Sequence, residues 1–398
     1  MTDKRGRYGD GSITQRGAGS FRLRYRIGKQ RFSATFHGTR KEAQAKLRQL
    51  LKSGDDGTHV EPSRMTVAEW CEHWLSIGCP SPRNKKRVGR RSFERYAQLL
   101  RVHVIPELGT KRLQQLHATE IDRFYEGLEG KELASRTQHH VHSVLNALLN
   151  TAVRKGLLTA NPINRAEKIP SPGESNHGQV LDAEQLNTLL QDFRGTALFP
   201  IVAVAVNTGA RRNEILALQW RDLNPVAKTL RIERAVEETK GQRRLKGPKR
   251  EKHKRTISID DALIRLLLSV REQHLRLVAG VPSNADVDLS LIKLPEGALM
   301  FPSLHAHGEI DLMRLRRSNT ITRYFEERAR KRFPGLRFHD LRGSHETALL
   351  DAGVPVHTVA DRCGHDPAVL LRSYAKRTKK ADKTAADIIG SLSKAILE

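Results

Sequence analysis

Between Asn161 and Gly178 the chain reads NPINRAEKIPSPGESNHG, with three prolines, two glycines and no apolar periodicity. Proline lacks a backbone N–H and fixes φ, so neither a long helix nor a central strand can run through this stretch. A second stretch of the same character, SGDDGTHVEPSR, occupies 53–64. The chain is thereby cut into three segments, each of which must bury an apolar face of its own. Its 398 residues exceed what one ordinary core supports, in agreement with that division.

Each segment has its own periodicity. In FRLRYRI, Phe21, Leu23, Tyr25 and Ile27 alternate with Arg22, Arg24 and Arg26, the period of a strand with one apolar and one basic face. GKQ reads as a turn, RFSATF as the returning strand, and TRKEAQAKLRQLLKSG as a helix whose Ala43, Leu47 and Leu50 or Leu51 can cover the sheet. The three arginines carry no interleaved acid. Contact with a polyanion is therefore favoured over a merely solvated face. The middle segment is helical throughout. TVAE (Thr66–Glu69) is a capping box, RRSFERYAQLLRVHVI is a basic amphipathic helix expected to end at Pro106 and Gly109, and HATEIDRFYEGLEG is another helix. In SRTQHHVHSVLNALLNTAVRKG, Val141, Leu145, Leu148 and Ala152 form one stripe and Gly156 is the stop. The last segment mixes helix signals (LDAEQLNTLL, ALFPIVAVAVNTG) with strand-like pieces (TLRIERAV, KRTISI). The expected architecture is a small sheet-plus-helix domain (1–55), an all-α bundle (65–168) and a mostly α, α+β domain (179–398).

Lys and Arg number 70 against 44 acids, giving net +26 and a pI near 10.4. Such a surplus points to nucleic acid or an anionic membrane, and no apolar run approaches the roughly 20 residues that span a bilayer. The N-terminus lacks the apolar stretch of a secretory signal. Cys71, Cys79 and Cys363 form no CxxC pair, so neither a disulfide framework nor a cysteine zinc site is expected, and a cytoplasmic setting fits. His139, His140 and His142 lack a completing carboxylate or cysteine and read as solvated rather than metal-binding.

Four clusters in the last segment hold polar residues that periodicity does not require. NTGARRNEILAL places a Thr208–Gly209 turn before Arg211, with Glu214 one turn on, able to reach back to an arginine or the helix start. RFHDLRGSHETALLDAG places His339 and Arg342 at i and i+3 on one helix face. DRCGHDPAVLLRSYAKR places His365 after a glycine turn, with Tyr374 two turns into the following helix. LKGPKREKHKRTISI lies in a run with nine Lys or Arg and one acid over residues 240–255. Singly, each reads as a surface or packing feature. Together they suit one reaction at phosphorus: arginines to hold oxygens bidentately, histidines to donate or shuttle protons, a lysine to protonate an alkoxide and a tyrosine hydroxyl to attack. The chain shows no acidic cage for two metals, so neither metal nor cofactor is expected.

Arg211 in TGARRNE, Lys249 in PKREKHKRTI, His339 and Arg342 in HDLR, His365 in CGH, and Tyr374 nine residues later resemble the signature of the tyrosine recombinases. The middle segment resembles their core-binding domain (TVAEWCEHWL, HVIPELGTKRLQQLHATEI, ANPI). The first resembles the arm-binding domain of phage and mobile-element integrases, in which a three-stranded sheet reads DNA. The likeness covers nearly the whole chain and is weakest at the N-terminus. It implies that Tyr374 forms a 3′-phosphotyrosyl link, that Arg211 and Arg342 clamp the phosphate, that Lys249 is the general acid, and that His339 and His365 assist. Glu214 would support the Arg211 helix. It further implies double-stranded DNA with core and arm sites, a homotetramer whose tail helix (Ile388, Ile389, Leu392, Ile396) docks on a neighbour, a host DNA-bending protein and an excision factor. Arg22, Arg24, Arg26, Arg250, Arg255, Arg372 and Lys376 are the expected DNA contacts. Gly343, Cys363, Arg250 and Lys376 depart from residues common in the family, and Lys246, Lys252 or Lys254 could serve as the acid if the strand register differs. The alternative is a type IB topoisomerase, which shares this chemistry but relaxes DNA without site choice; the three-part layout favours an integrase.

Overall fold

The computed structural model describes residues 11–56, 60–80, 87–173, 178–240, 242–247, 254–303 and 311–374. Lys249, Arg250, Lys252, Lys376 and the tail lie outside the described residues. The chain divides into two compact units, 1–175 and 176–398.

The first unit opens with an antiparallel sheet, β1 (Ser12–Gly17), β2 (Ser20–Ile27) and β3 (Gln30–His37), in the order β1-β2-β3. β2 and β3 meet at Ile27↔Gln30, leaving Gly28–Lys29 as a two-residue turn. Gly28 has φ +56°, which matches the twist of a two-residue hairpin. Phe21, Leu23 and Tyr25 are buried against Ala43 and Leu47 of α1 (Arg40–Asp55), as the alternation requires. Thr39 and Glu42 close a capping box at its start. The residue periodicity indicated only the β2–β3 hairpin; β1, SITQRG, lacks a strict apolar alternation and is a strand because it pairs along β2.

A helical bundle follows: α2 (Val67–Ser76), α3 (Arg90–Leu99), α4 (Ile105–Leu108), α5 (Ala118–Gly130) and α6 (Ser135–Arg154). Val141, Leu145, Leu148 and Ala152 of α6 are all fully buried. The indoles of Trp70 and Trp74 on α2 donate to Leu148 O and Thr151 Oγ1 of α6, both at 3.2 Å. Of the expected end at Pro106 and Gly109, only the glycine holds: Gly109 is the C-cap, and Pro106 does not stop the third helix. Leu100–Val104 widens into a π turn in which the Ile105 N–H reaches Leu100 O, and the helix continues through Pro106 to Leu108. A widened turn accommodates the residue that cannot donate. Asn161 ties the following NPI to the bundle, donating to Asn146 Oδ1 and Asn150 Oδ1 at 2.7 and 2.9 Å while accepting from Ile163 N.

The second unit holds α7 (Ala183–Phe193), α8 (Phe199–Thr208), α9 (Arg212–Ile215), β4 (Leu223–Asn224), β5 (Thr229–Ile232), β6 (Ala235–Thr239), β7 (Gln242–Lys246), β8 (Arg255–Ser258), α10 (Asp261–Ala279), α11 (Ser318–Ala329), α12 (Asp340–Asp351), α13 (Val356–Cys363) and α14 (Pro367–Tyr374). Its sheets are β4-β5-β8 and the hairpin β6-β7. α8 is apolar on every side, and Ile201, Val202 and Val204 are fully buried in the core. That core fixes the C-terminal end of α8, from which the polar cluster is built. No described helix is long and apolar enough to cross a membrane.

Leu148→Ala should open a cavity in the bundle core, where Leu148 is fully buried, and destabilise the first unit by about 2–5 kcal/mol. Urea unfolding followed by Trp70 and Trp74 emission, in a Trp220→Phe background, measures the change.

Candidate active site

α8 ends at Gly209, whose φ of +61° is the left-handed cap that favours glycine. A Cβ there would stand 2.6 Å from His345 Cδ2 and 2.9 Å from Cys363 Sγ, so the position is closed to larger residues by space as well as by backbone. The chain turns and Arg211 becomes the N-cap of α9. Glu214 reaches back as expected: its Oε2 accepts from Arg211 N and its Oε1 from Arg211 Nη1, both at 2.9 Å. Arg211 Nη2 donates to Gly364 O at 3.1 Å. Gly364 is itself the left-handed cap of α13, with φ +64°. The two glycine corners are thus joined through an arginine.

Arg342 joins them again from α12. It is 3% exposed, donates Nη1 to Gly209 O at 2.6 Å and Nη2 to Cys363 O at 2.5 Å, and has Nε 3.1 Å from His365 Nε2. Carbonyls at helix C-termini carry the negative end of the helix dipole and are matched partners for guanidinium. Burial first, then the Arg211 charge, lowers the Arg342 pKa, while the Glu346 carboxylate, its Oε1 3.0 Å from Arg342 Nε, acts in the opposite direction. His365 is held by its backbone N–H, which donates to Ala360 O at 2.8 Å. His339 is the N-cap of α12 rather than part of its first turn, so it is exposed while Arg342 turns inward. Desolvation by its surroundings, then the Arg342 charge, lowers the His339 pKa. His339 and Arg211 line one cleft of about 400 Å³ together with Asn213 and Thr322. A larger cavity of about 770 Å³, beside Leu198, Tyr324 and Arg328, contains none of these residues.

Arg211, His339, Arg342, His365 and Glu214 are therefore brought together. Tyr374 is half-buried at the end of α14, and its hydroxyl donates to Asp351 Oδ1 at 2.9 Å. Asp351 lies nine residues beyond Arg342 on α12, about 13 Å of helix rise. Among the alternative lysines, Lys246 Nζ is held by Glu237 Oε1 at 2.5 Å and Lys254 is exposed. Arg24 and Arg26 are exposed and Arg22 half-buried on the open face of β2, opposite Ser33, Arg31 and Thr35 of β3. Arg372 is exposed on α14, with Nε donating to Ala368 O.

Arg255 is a correction. Read as a DNA contact from its basic run, it is 7% exposed in its side chain and directed inward. Its Nη2 meets Glu214 Oε2 at 2.7 Å and its Nε meets Arg362 O at 2.8 Å, because β8 packs beside α13. Burial raises the Glu214 pKa, but the Arg255 hydrogen bond and charge, with Arg211, outweigh it and hold the carboxyl at about 2. Residue reading also missed Arg362, which donates to Asn207 O, Ser258 O and His345 Nε2, and Glu346, a buried acid four residues after Arg342. The i+4 spacing of an acid from Arg342 was the available signal; for Arg362 there was none.

The sequence profile of the phage integrase family matches residues 179–381. A tyrosine recombinase XerC-like protein of Caldanaerobacter subterraneus is 26% identical over 90% of this chain and 91% of its own length. An integrase of Streptomyces ambofaciens is 27% identical over 89% and 88%. In fold, the chain is similar to the Tn1549 transposon integrase in complex with a circular intermediate DNA (TM-score 0.64, 14% identity, 82% of this chain and 99% of that one). It is also similar to a lambda integrase dimer bound to a COC′ core site (TM-score 0.54, 16% identity, 92% and 95%).

Two outcomes test this geometry. Glu214 has a depressed folded pKa, so its contribution is complete above the unfolded value of about 4.5 and is lost as pH falls through about 2. Glu214→Gln should cost on the order of 3 kcal/mol at pH 6, with the gap to wild type closing towards pH 2.5 in urea titrations. Gly209→Ala should lower the thermal midpoint by the equivalent of about 1–3 kcal/mol, read by calorimetry.

Proposed function

The chain belongs to the phage integrase family and is a tyrosine-type site-specific DNA recombinase, and we propose that it cuts and rejoins DNA through a 3′-phosphotyrosyl intermediate to integrate and excise a phage or mobile element. The observation that carries this reading is the joining of Arg211, Arg342 and His365 through the two glycine corners: Arg211 to Gly364 O at 3.1 Å, Arg342 to Gly209 O at 2.6 Å and to His365 at 3.1 Å. A cluster so fixed suits the non-bridging oxygens of one phosphate and needs little rearrangement as charge develops there.

In the proposed reaction Tyr374 Oη forms a bond to phosphorus and the P–O5′ bond breaks. The tyrosine proton leaves to a neighbouring base, and Lys249 supplies a proton to the departing 5′-oxygen. Arg211 and Arg342 balance the charge on the phosphoryl oxygens. His339 and His365 donate hydrogen bonds or carry protons. A 5′-hydroxyl from the partner duplex then attacks the link and frees Tyr374. The phosphodiester energy is retained in the covalent intermediate, so no nucleotide cofactor is required. Attack also requires the Tyr374 hydroxyl to exchange Asp351 for the phosphate.

The remaining assignments complete this reading. Residues 1–55 bind arm-type sites through Arg22, Arg24 and Arg26, a face on which the paired β1 and β3 positions are Ser12, Thr14, Arg31, Ser33 and Thr35, without a carboxylate. Residues 65–168 bind core-type sites and 179–398 carry the chemistry. Arg250, Arg372 and Lys376 contact the DNA backbone. The working form is a homotetramer on two duplexes, with a host DNA-bending protein and an excision factor controlling direction, in a bacterial cytoplasm. The integrase relatives favour recombination over site-independent relaxation.

Incubation with nicked suicide DNA should trap wild-type protein in a covalent adduct, and Tyr374→Phe should give none while still binding the DNA. An adduct with Tyr374→Phe would remove Tyr374 from the role.

A further inference from the structure

Arg337 has no part in the reaction as set out above, yet it stands on the same cleft as Arg211 and His339. Burial sorts the side chains of its segment. Phe338 is buried and packs edge-on against Phe325, their ring centroids 5.2 Å apart, while Arg337 and His339 on either side of it are exposed. Asp340 then fixes the arginine. Its carboxylate, 3% exposed, accepts from Arg337 N at 2.9 Å, from Arg337 Nη2 at 2.8 Å and from Arg337 Nε at 3.2 Å. The Asp340 N–H donates back to Arg337 O at 2.9 Å. A Cβ at Gly178 would stand 1.8 Å from Asp340 Oδ1 and 2.5 Å from Arg337 Nη2, so the backbone there lies directly against the pair.

A guanidinium has five N–H hydrogens, and Asp340 takes the one on Nε and one of the two on Nη2. The two on Nη1 and the second on Nη2 have no acceptor among the described residues, and the side chain keeps 47% of its exposure. That outer edge can hold two oxygens of one phosphate. The cleft carries Arg211, Arg212 and Arg337 against a single acid among its lining residues, Glu326. We propose that Arg337 binds a DNA phosphate on the cleaved strand within two positions of the scissile one, and so keeps that strand in register with Arg211 and His339. No bond among the described residues joins Arg337 to Arg342 or His365, so its phosphate is not the one held by that cluster. A guanidinium already aligned by Asp340 loses little rotamer freedom on binding. The competing reading is an ion pair that only steadies the start of α12 and adds nothing to DNA binding. The inference rests on the reading of Arg211 and His339 as phosphate-facing groups.

Neutralising one phosphate at a time tests it. A nicked duplex bearing the core-type site is made with a single uncharged methylphosphonate at each position in turn. Binding is measured on the full chain as Tyr374→Phe, so that cleavage does not intervene. One replacement within two positions of the scissile phosphate should weaken binding by about tenfold. With Arg337→Ala added, the same replacement should cost less than about twofold, while replacements elsewhere keep their cost. Arg337→Ala should also lower the slope of log affinity against log salt by about 0.9. Arg337→Gln, whose amide can still donate to Asp340, repeats the cycle with that contact kept, and it decides the matter if calorimetry shows Arg337→Ala to be unfolded. Equal methylphosphonate costs with and without Arg337, or coupling only beyond two positions, overturn the proposal. If neutralising the scissile phosphate itself costs nothing, the clamp formed by Arg211 and Arg342 falls, and this inference falls with it. If that cost is present and the Arg337 coupling is absent, this inference alone falls.

Discussion

The guanidinium of Arg342 is the point on which the polar centre of the second unit is organised. A charge this deeply buried persists only if its N–H groups find acceptors, since an unpaired buried charge costs several kcal/mol. Here the acceptors are Gly209 O at the end of α8, Cys363 O at the end of α13, and the His365–Glu346 pair. Three elements far apart in sequence are thereby fixed to one planar group. Arginine has five N–H hydrogens, and the bonds to Gly209, Cys363 and the His365–Glu346 pair use three of them, which leaves two for a further ligand.

The glycines make those acceptors available. Gly209 and Gly364 each end a helix in the left-handed conformation, so that the last carbonyls turn out of the helical ladder towards the arginines. Arg211 follows the first corner and bonds to the second, while Arg342 bonds to the first and to the residue before the second. Arg255 and Arg362 extend the same pattern by bonding to Arg362 O and Asn207 O. Glu214 and Glu346 are buried acids that offset this concentration of positive charge. The result is a polar core set against the apolar one built around α8.

Much of the fold could be read from periodicity, and the departures have identifiable causes. The α6 stripe and the β2 alternation were legible because burial on one face imposes a repeat on the residues. β1 was not legible from its residues, since a strand can be stabilised by pairing to a neighbour without an apolar repeat of its own. Gly109 ends the third helix as expected, but Pro106 does not, because its effect depends on the width of the preceding turn. In the site, Arg211, His339, Arg342 and His365 stood out by spacing, and the structure brings them into one neighbourhood. Arg255 carried the same signal as its basic neighbours, and only the packing of β8 beside α13 turned it inward. Lys249 and Lys376 lie outside the described residues, so the structure adds nothing to their reading.

The sequence by itself determined most local elements, the chemistry-bearing residue types and their order, because prolines, glycines and apolar repeats act locally. It also indicated that Glu214 could reach back to an arginine or the helix start, since a capping contact spans one helical turn. Tertiary structure alone decided which charges are spent inside the protein and which remain available. Arg255 is consumed by Glu214, Arg342 is anchored by two helix ends, and the Tyr374 hydroxyl rests on Asp351. These outcomes depend on contacts between residues up to 155 positions apart, as in the Arg362–Asn207 bond, and no local pattern encodes them.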